Sequence, residues 1–229
     1  MKAGSNIPLE FTTTACNRPH ILNSTYASYT SRLIGVDFKE STLYLNVDPS
    51  PSKDNIIEVE NIAKKYFGTV VVNYPETSNF AAAAHWCFSQ VKGKYFFHLE
   101  DDWNLCRSVN VQSLISKLDD STFQCILNKK RTKYLKLEKG EPSFMPSLIS
   151  TEIWKKYLDN FDTSINPEYQ FKKLFRDKTT GLSEFTSVYY DESLEFSKDI
   201  GRDWLRNNKI VRNYSAGSSW SPWINWKIK

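Results

Sequence analysis

Cysteine pairs, membrane-length apolar runs and glycine-rich nucleotide signatures are all missing from this chain. Its four cysteines (Cys16, Cys87, Cys106 and Cys125) show no C-x-x-C spacing and no pairing with the three histidines. That argues against a zinc site and leaves free thiols in a reducing compartment as the simple expectation. No stretch reaches the ~18 apolar residues that a membrane span needs. The opening MKAGSNIPLEF lacks the apolar run of a secretion signal, so a cytoplasmic setting without a membrane anchor is expected. No G-x-G-x-x-G, P-loop or Ser-His-Asp ordering occurs, which disfavours dinucleotide, NTPase and hydrolase chemistry. Internal repeats and low-complexity segments are absent, and no obligate protein partner is evident.

What is present is the composition of an ordinary globular protein: 229 residues, 40% hydrophobic and 24% charged, enough for one large core or two closely packed subdomains. A net charge of +4 permits an anionic partner without demanding one. Aromatic residues make up 14%, and five of the seven tryptophans follow residue 150. Such a tail suits a core or a platform for sugar rings or bases.

Strand and helix patterns alternate over residues 7–102. PLEFTTTAC reads as a strand. NRPHILNSTYASYTSRL reads as a helix with Ile21, Leu22, Tyr26 and Tyr29 in helical spacing. STLYLNV is a strand, and NIIEVENIAKKYF a helix presenting Ile56, Val59, Ile62 and Ala63. GTVVVNY, the helix NFAAAAHWCFSQVKG closed by Gly93, and the strand KYFFHL complete the run. This order predicts an α/β protein: a mainly parallel sheet with helices on both faces. Beyond residue 103 the pattern loosens into a mixed α+β half. Helices are expected in VQSLISKLD, in STEIWKKYLDNF and in PEYQFKKLFR with Pro167 at its first position, and a strand in FQCILNK. The change of role near residue 104 divides one continuous globular unit into 1–104 and 105–229.

Ligands of open α/β sheets sit outside the carboxyl ends of the strands. The sequence places Thr14, Asn17 and Arg18 there after the first strand, Asp48 after the second, and Glu100, Asp101 and Asp102 after the fourth. Strand alternation predicts Glu100 and Asp102 on one side and Asp101 on the other. Two carboxylates so placed can hold a hard divalent cation together with diphosphate oxygens. Acids favoured by a helix N-terminus are the ordinary alternative, and the motif alone leaves both open. His85 and His98 read as packed core histidines, and His20 has no assigned part.

TTTACNRPHILNSTYASY, then LNVDPSPSKD, then SNFAAAAHWCFSQVKGKYFFHLEDDW resemble the nucleotide-binding half of GT-A-fold glycosyltransferases, especially the large inverting family 2. The resemblance spans about residues 9–104. It implies a metal-dependent transferase using Mn2+ or Mg2+ and a UDP-sugar. Thr14 and Arg18 would line the nucleotide pocket and Asp48 would meet the uracil edge. Asp102 would be the principal metal ligand with Glu100 beside it, and Glu100 or Asp101 would lie toward ribose and diphosphate. Two departures stand out: Pro49-Ser50 replaces the usual glycine of the second strand end, and E-D-D replaces D-x-D.

The remaining half, 105–229, would bind the acceptor and supply a base. Glu168 is the first candidate for that base, with Glu184 and Asp199 as rivals, and a first-turn acid stabilising its own helix is the plain alternative. Lys198, Arg202, Arg206 and Lys209 form a basic cluster suited to phosphate or simply to a solvated helix face. FHLEDDW and DIGRDW also look like compact glycosyltransferases encoded by bacteriophages and large viruses, some of which place sugars on hydroxymethylated bases. The expected acceptor is therefore hydroxymethylcytosine in double-stranded DNA. It would be met by Lys129, Lys130, Arg131 and Lys133 and by stacking aromatics such as Trp220 or Trp223. A surface glycan or protein is the alternative acceptor. A non-catalytic nucleotide-binding module and a nucleotidyltransferase are the alternative functions.

Overall fold

A computed structural model describes residues 6–49, 56–128 and 140–208, together with the backbone of two short strands, Ile210–Arg212 and Trp226–Ile228. The main sheet has seven strands: β1 (Glu10–Cys16), β2 (Thr42–Asp48), β3 (Thr69–Asn73), β4 (Tyr95–Glu100), β5 (Thr122–Ile126), β6 (Ser147–Ser150) and β7 (Thr186–Tyr189). Their spatial order is β7-β5-β6-β4-β1-β2-β3. All neighbours run parallel except β6, which is antiparallel to both β4 and β5.

Helices cover both faces, as expected. α1 (Pro19–Arg32) and α2 (Ile56–Tyr66) lie on one face. There Leu22, Tyr26 and Tyr29 meet Val59, Ile62 and Ala63 over Phe11, Leu43, Leu45 and Phe97. α3 (Phe80–Gln90), α5 (Thr151–Leu158) and α6 (Pro167–Arg176) lie on the other. Their core is aromatic: Trp154 is fully buried among Phe88, Phe123, Phe144 and Phe171, its ring centre 4.4 Å from that of Phe171. Edge-to-face packing of this kind adds to the area term of burial. His98 belongs to this core, its ring edge-on to Phe88 and Phe144 with Nδ1 3.0 Å from Thr12 Oγ1. Burial lowers its pKa to about 3, so it is a neutral packed residue. His85 packs on Phe161 at 5.5 Å.

Local chemistry sets the helix ends. Asn79 caps α3 through Ala82 N–H, and Asn166 caps α6 through Tyr169 N–H, with Pro167 at the first position as expected. α3 stops at Gln90, so Gly93 is not its cap. The Gly93 amide instead donates to Glu10 Oε2 at 2.6 Å. Only Val111–Ile115 of the predicted VQSLISKLD helix is α-helical (α4).

The second half is tied to the first in two places that position the site. β6 pairs directly with β4, Phe96 opposite Ile149. A short strand, Ser197–Asp199, pairs antiparallel with Trp103–Leu105 just beyond the acids. That pairing delivers α7 (Gly201–Asn207) to the sheet's carboxyl end, where Ile200 N–H donates to Asp102 C=O at 2.8 Å.

Candidate active site at the strand ends

In-register parallel pairing aligns the carboxyl ends of β1, β2 and β4. Cys16 lies opposite Asp48, and Thr14 sits between Asn46 and Glu100. Thr14, Asp48 and the three acids therefore share one end of the sheet, as the sequence predicted. The alternation rule fails past Glu100, however. β4 ends there and residues 101–102 form a turn, so Asp101 and Asp102 converge on the same partner instead of pointing apart.

That partner is Arg18. The residue is 1% exposed; its Nη2 donates to both oxygens of Asp101 at 2.9 and 3.0 Å and to Asp102 Oδ2 at 3.0 Å. Cys16 N–H adds a bond to Asp101 Oδ2 at 3.0 Å. Burial works against the Arg18 charge, but Asp101, Cys16 and Asp102 more than reverse that, so it stays cationic. Burial raises the Asp101 pKa while Arg18 pulls it down; with three charge-assisted bonds Asp101 is the ionised partner. Much of the cation that these acids call for is thus built into the chain. Arg18, expected to line the nucleotide pocket, is buried and holds Asp101 and Asp102 together.

Glu100 is less well balanced. Burial, then repulsion from Asp102, Glu168, Asp199 and Asp101, pushes its pKa well above the usual carboxylate range. Glu168, at the start of α6, and Asp199 thus lie within electrostatic reach of Glu100. Glu184 does not join them. It lies next to β7's first residue, with Asp119, Asp120 and Ser121 at the start of β5, at the opposite end of these parallel strands. Glu184 therefore lies away from Glu100, Asp101 and Asp102.

Asp48 is 3% exposed. Burial raises its pKa, the Asn46 hydrogen bond opposes this and Asp101 adds to it, leaving it pushed up to about 7. Arg202, a candidate for phosphate, is exposed and paired with Asp199 at 2.8 Å. Lys198 pairs with Asp203 at 3.3 Å and Arg206 pairs with Asp203 as well. These cations have acid partners of their own. Lys209, the Lys129–Lys133 run, Trp220 and Trp223 lie outside the described residues.

Two residues around the acids escaped the sequence reading. A Cβ on Gly201 would fall 2.0 Å from Asp102 Oδ2, so only glycine lets α7 close on that carboxylate. Trp204, one turn later, lies over Arg18 with its ring centre 5.4 Å from Cζ and 6.0 Å from the His20 ring. Both sit in DIGRDW, the one signal that marked them.

Among the described residues, no group of three or more His, Cys, Asp or Glu side chains is placed to hold a metal ion, and none of the four cysteines is in a disulfide. Asp102 and Glu100 offer a divalent cation two carboxylates, one already shared with Arg18. That donor set fits a cation that arrives with a diphosphate, whose oxygens complete the shell, and not one held by protein alone. No described helix is long and apolar enough to cross a membrane.

No protein-family model matches the chain, and no curated protein matches it. Solved structures do. A mannosyltransferase from Pyrobaculum calidifontis in complex with GDP-Man and Mn2+ aligns with a TM-score of 0.59 and 10% identity over 82% of this chain and 57% of its own. Staphylococcus aureus TarS 1-349 in complex with UDP aligns at 0.58 and 9% over 83% and 60%. CMP:2-keto-3-deoxy-manno-octonic acid synthetase complexed with CTP aligns at 0.53 and 9% over 87% and 96%. The chain spans 36% to 64% of the TarS structures it matches. At these identities the likeness is one of fold, and the fold is GT-A-like α/β.

Proposed function

We propose that the protein is a glycosyltransferase that moves a sugar from a UDP-sugar to an acceptor hydroxyl with Mn2+ or Mg2+. The observation that carries this reading is the convergence of Asp48, Glu100, Asp101 and Asp102 at one end of a GT-A-like sheet, with Glu168 brought near them from the other half. In this reading Asp48 meets the uracil edge, Thr14 lies beside the ribose, and Arg18 keeps Asp101 and Asp102 in place. Asp102 and Glu100 would hold the cation. Bound there with the diphosphate, it supplies positive charge to the departing group. Glu168 takes the acceptor proton as the acceptor oxygen bonds to the anomeric carbon. The bond from that carbon to the diphosphate breaks, and UDP leaves. Asp199 serves less well as a base because it is paired with Arg202.

The acceptor we infer is hydroxymethylcytosine in duplex DNA, as in bacteriophage-type enzymes. This part rests on the basic and tryptophan-rich sequence alone. The test is mass spectrometry of nucleosides from hydroxymethylcytosine-containing DNA incubated with the protein, Mn2+ and a panel of UDP-sugars, with free UDP measured alongside. A sugar-sized mass gain supports donor and acceptor together. UDP release without it keeps the transferase and points to a glycan or protein acceptor. Asp102→Asn should abolish transfer, and Glu168→Gln should lose turnover while keeping donor binding.

The same fold accommodates a CTP complex, so a nucleotidyltransferase is the second reading. Consumption of a nucleoside triphosphate with release of pyrophosphate would select it. A nucleotide-binding module without chemistry would bind UDP equally with and without Mn2+.

A further inference from the structure

Asn46 is a buried amide on β2, the strand next to the sheet's edge, 1% exposed and flanked by Leu45 and Val47, both fully buried. An amide in such a place is retained only with its polar atoms paired. Asn46 Nδ2 donates to Asp48 Oδ1 at 2.8 Å, and its Oδ1 accepts from Asn73 Nδ2 at 2.6 Å. Asn73 is its register partner on β3. The direction of this chain is fixed by chemistry. Above about pH 7 Asp48 is ionised and only accepts, so Asn46 must turn its NH2 to Asp48 and its carbonyl to Asn73, which must then donate. Asn46 thereby occupies Oδ1 and leaves Oδ2, which has no hydrogen-bond partner among the described residues, as the acceptor that Asp48 has to offer.

We infer that Asn46 and Asn73 are positioning residues that set the base preference of the donor pocket through Asp48. The fixed carboxylate offers an acceptor to a base whose pairing edge carries a ring N–H, as uracil and guanine do. It rejects cytosine and adenine, which present a lone pair there. Neither asparagine needs to touch the nucleotide, and the inference rests on the proposed donor site.

The experiment is calorimetric binding of UDP, GDP, CDP and ADP, each with Mn2+ at about pH 8, where Asp48 is ionised, to the full chain and to Asn46→Leu and Asn73→Ala. The unaltered protein is expected to prefer UDP over CDP by at least about tenfold, the scale of one charge-assisted hydrogen bond. Asn46→Leu should bring that ratio within about threefold, and Asn73→Ala should move it the same way by less. A purely structural role would weaken all four diphosphates by one common factor and leave the ratio unchanged. That outcome overturns the inference while leaving the donor site standing. Failure of the unaltered protein to bind any of the four overturns the donor site and the inference with it. If Asn46→Leu does not fold, the half-buried Asn73→Ala decides: an unchanged ratio there also overturns the inference.

Discussion

Two sets of ion pairs meet where the chain beyond β4 touches α7, and different terms govern them. Arg18 with Asp101 and Asp102 is shut away from water, its guanidinium without exposure. Arg202 with Asp199, and Arg206 and Lys198 with Asp203, pair cations with aspartates in the same way but with the cations 65–75% exposed. In the buried set the cost of desolvation is already incurred, so each charge depends on its partner. In the exposed set water replaces any partner that is lost, and the pairs contribute little. A buried trio of charges at the end of a parallel sheet therefore carries functional information that the exposed set, though richer in cations, does not.

Removing one partner from each set tests that contrast, and the largest effect belongs to Arg18. Arg18→Ala leaves two acids buried without their cation, and a loss of about 3–5 kcal/mol is expected in urea unfolding. Adding Asp101→Asn should recover part of it. A loss below about 1 kcal/mol would mean that the buried trio behaves like the surface pairs.

Asp48 extends the comparison to pH. Its pKa is raised in the fold, from 3.8 to about 7. Between these values the native state holds a proton that the unfolded chain has released. The contribution to stability is therefore fully present below about pH 4 and lost as pH rises through 7. Asp48→Asn should remove this slope, improving stability at pH 8 relative to pH 4 by about 2–4 kcal/mol against the unaltered protein. Thermal melts across pH 4–8 measure it, and parallel curves for the two proteins would overturn the assignment.

Much of this arrangement was legible in the sequence, and the illegible part has a common cause. β1 to β4 and α1 to α3 each carry their own periodicity, and the strand-end rule found Thr14, Asp48 and the three acids without any tertiary knowledge. β6 and β7 are four residues each, too short to show a period, and exist because β4 and β5 offer them edges. Arg18 was found as a site residue, but its partner lies 83 residues away. Nothing local shows that it clamps Asp101 and Asp102. The expected split between Asp101 and its neighbours failed because a strand rule was carried two residues past the strand, which ends at Glu100. Gly201 and Trp204 touch the site only because Ser197–Asp199 pairs with Trp103–Leu105, a contact between distant segments.

Gly201 lies at the seam between the two sets. Its Cα packs on the carboxylate that Arg18 holds, and an added methyl would overlap Asp102 Oδ2. Gly201→Ala must therefore shift either α7 or Asp102, at about 1–3 kcal/mol. The shift should also weaken UDP binding in the presence of Mn2+ more than in its absence, because the displaced group is the proposed metal ligand. Equal weakening in both conditions would separate α7 from the metal-binding end of the pocket.

Arg202 should give the smallest effect and the sharpest check on the exposed set. Its guanidinium is 69% exposed and its partner is Asp199, which also repels Glu100. Arg202→Ala is expected to cost less than about 1 kcal/mol. Removing the cation leaves Asp199 more effective against Glu100, so the main consequence should be electrostatic: a modest loss of UDP affinity at low salt that fades as salt is added. A loss of more than about tenfold, persisting at high salt, would show Arg202 leaving Asp199 to contact the diphosphate directly. The exposed set would then be part of the donor site, and burial alone would no longer separate the two.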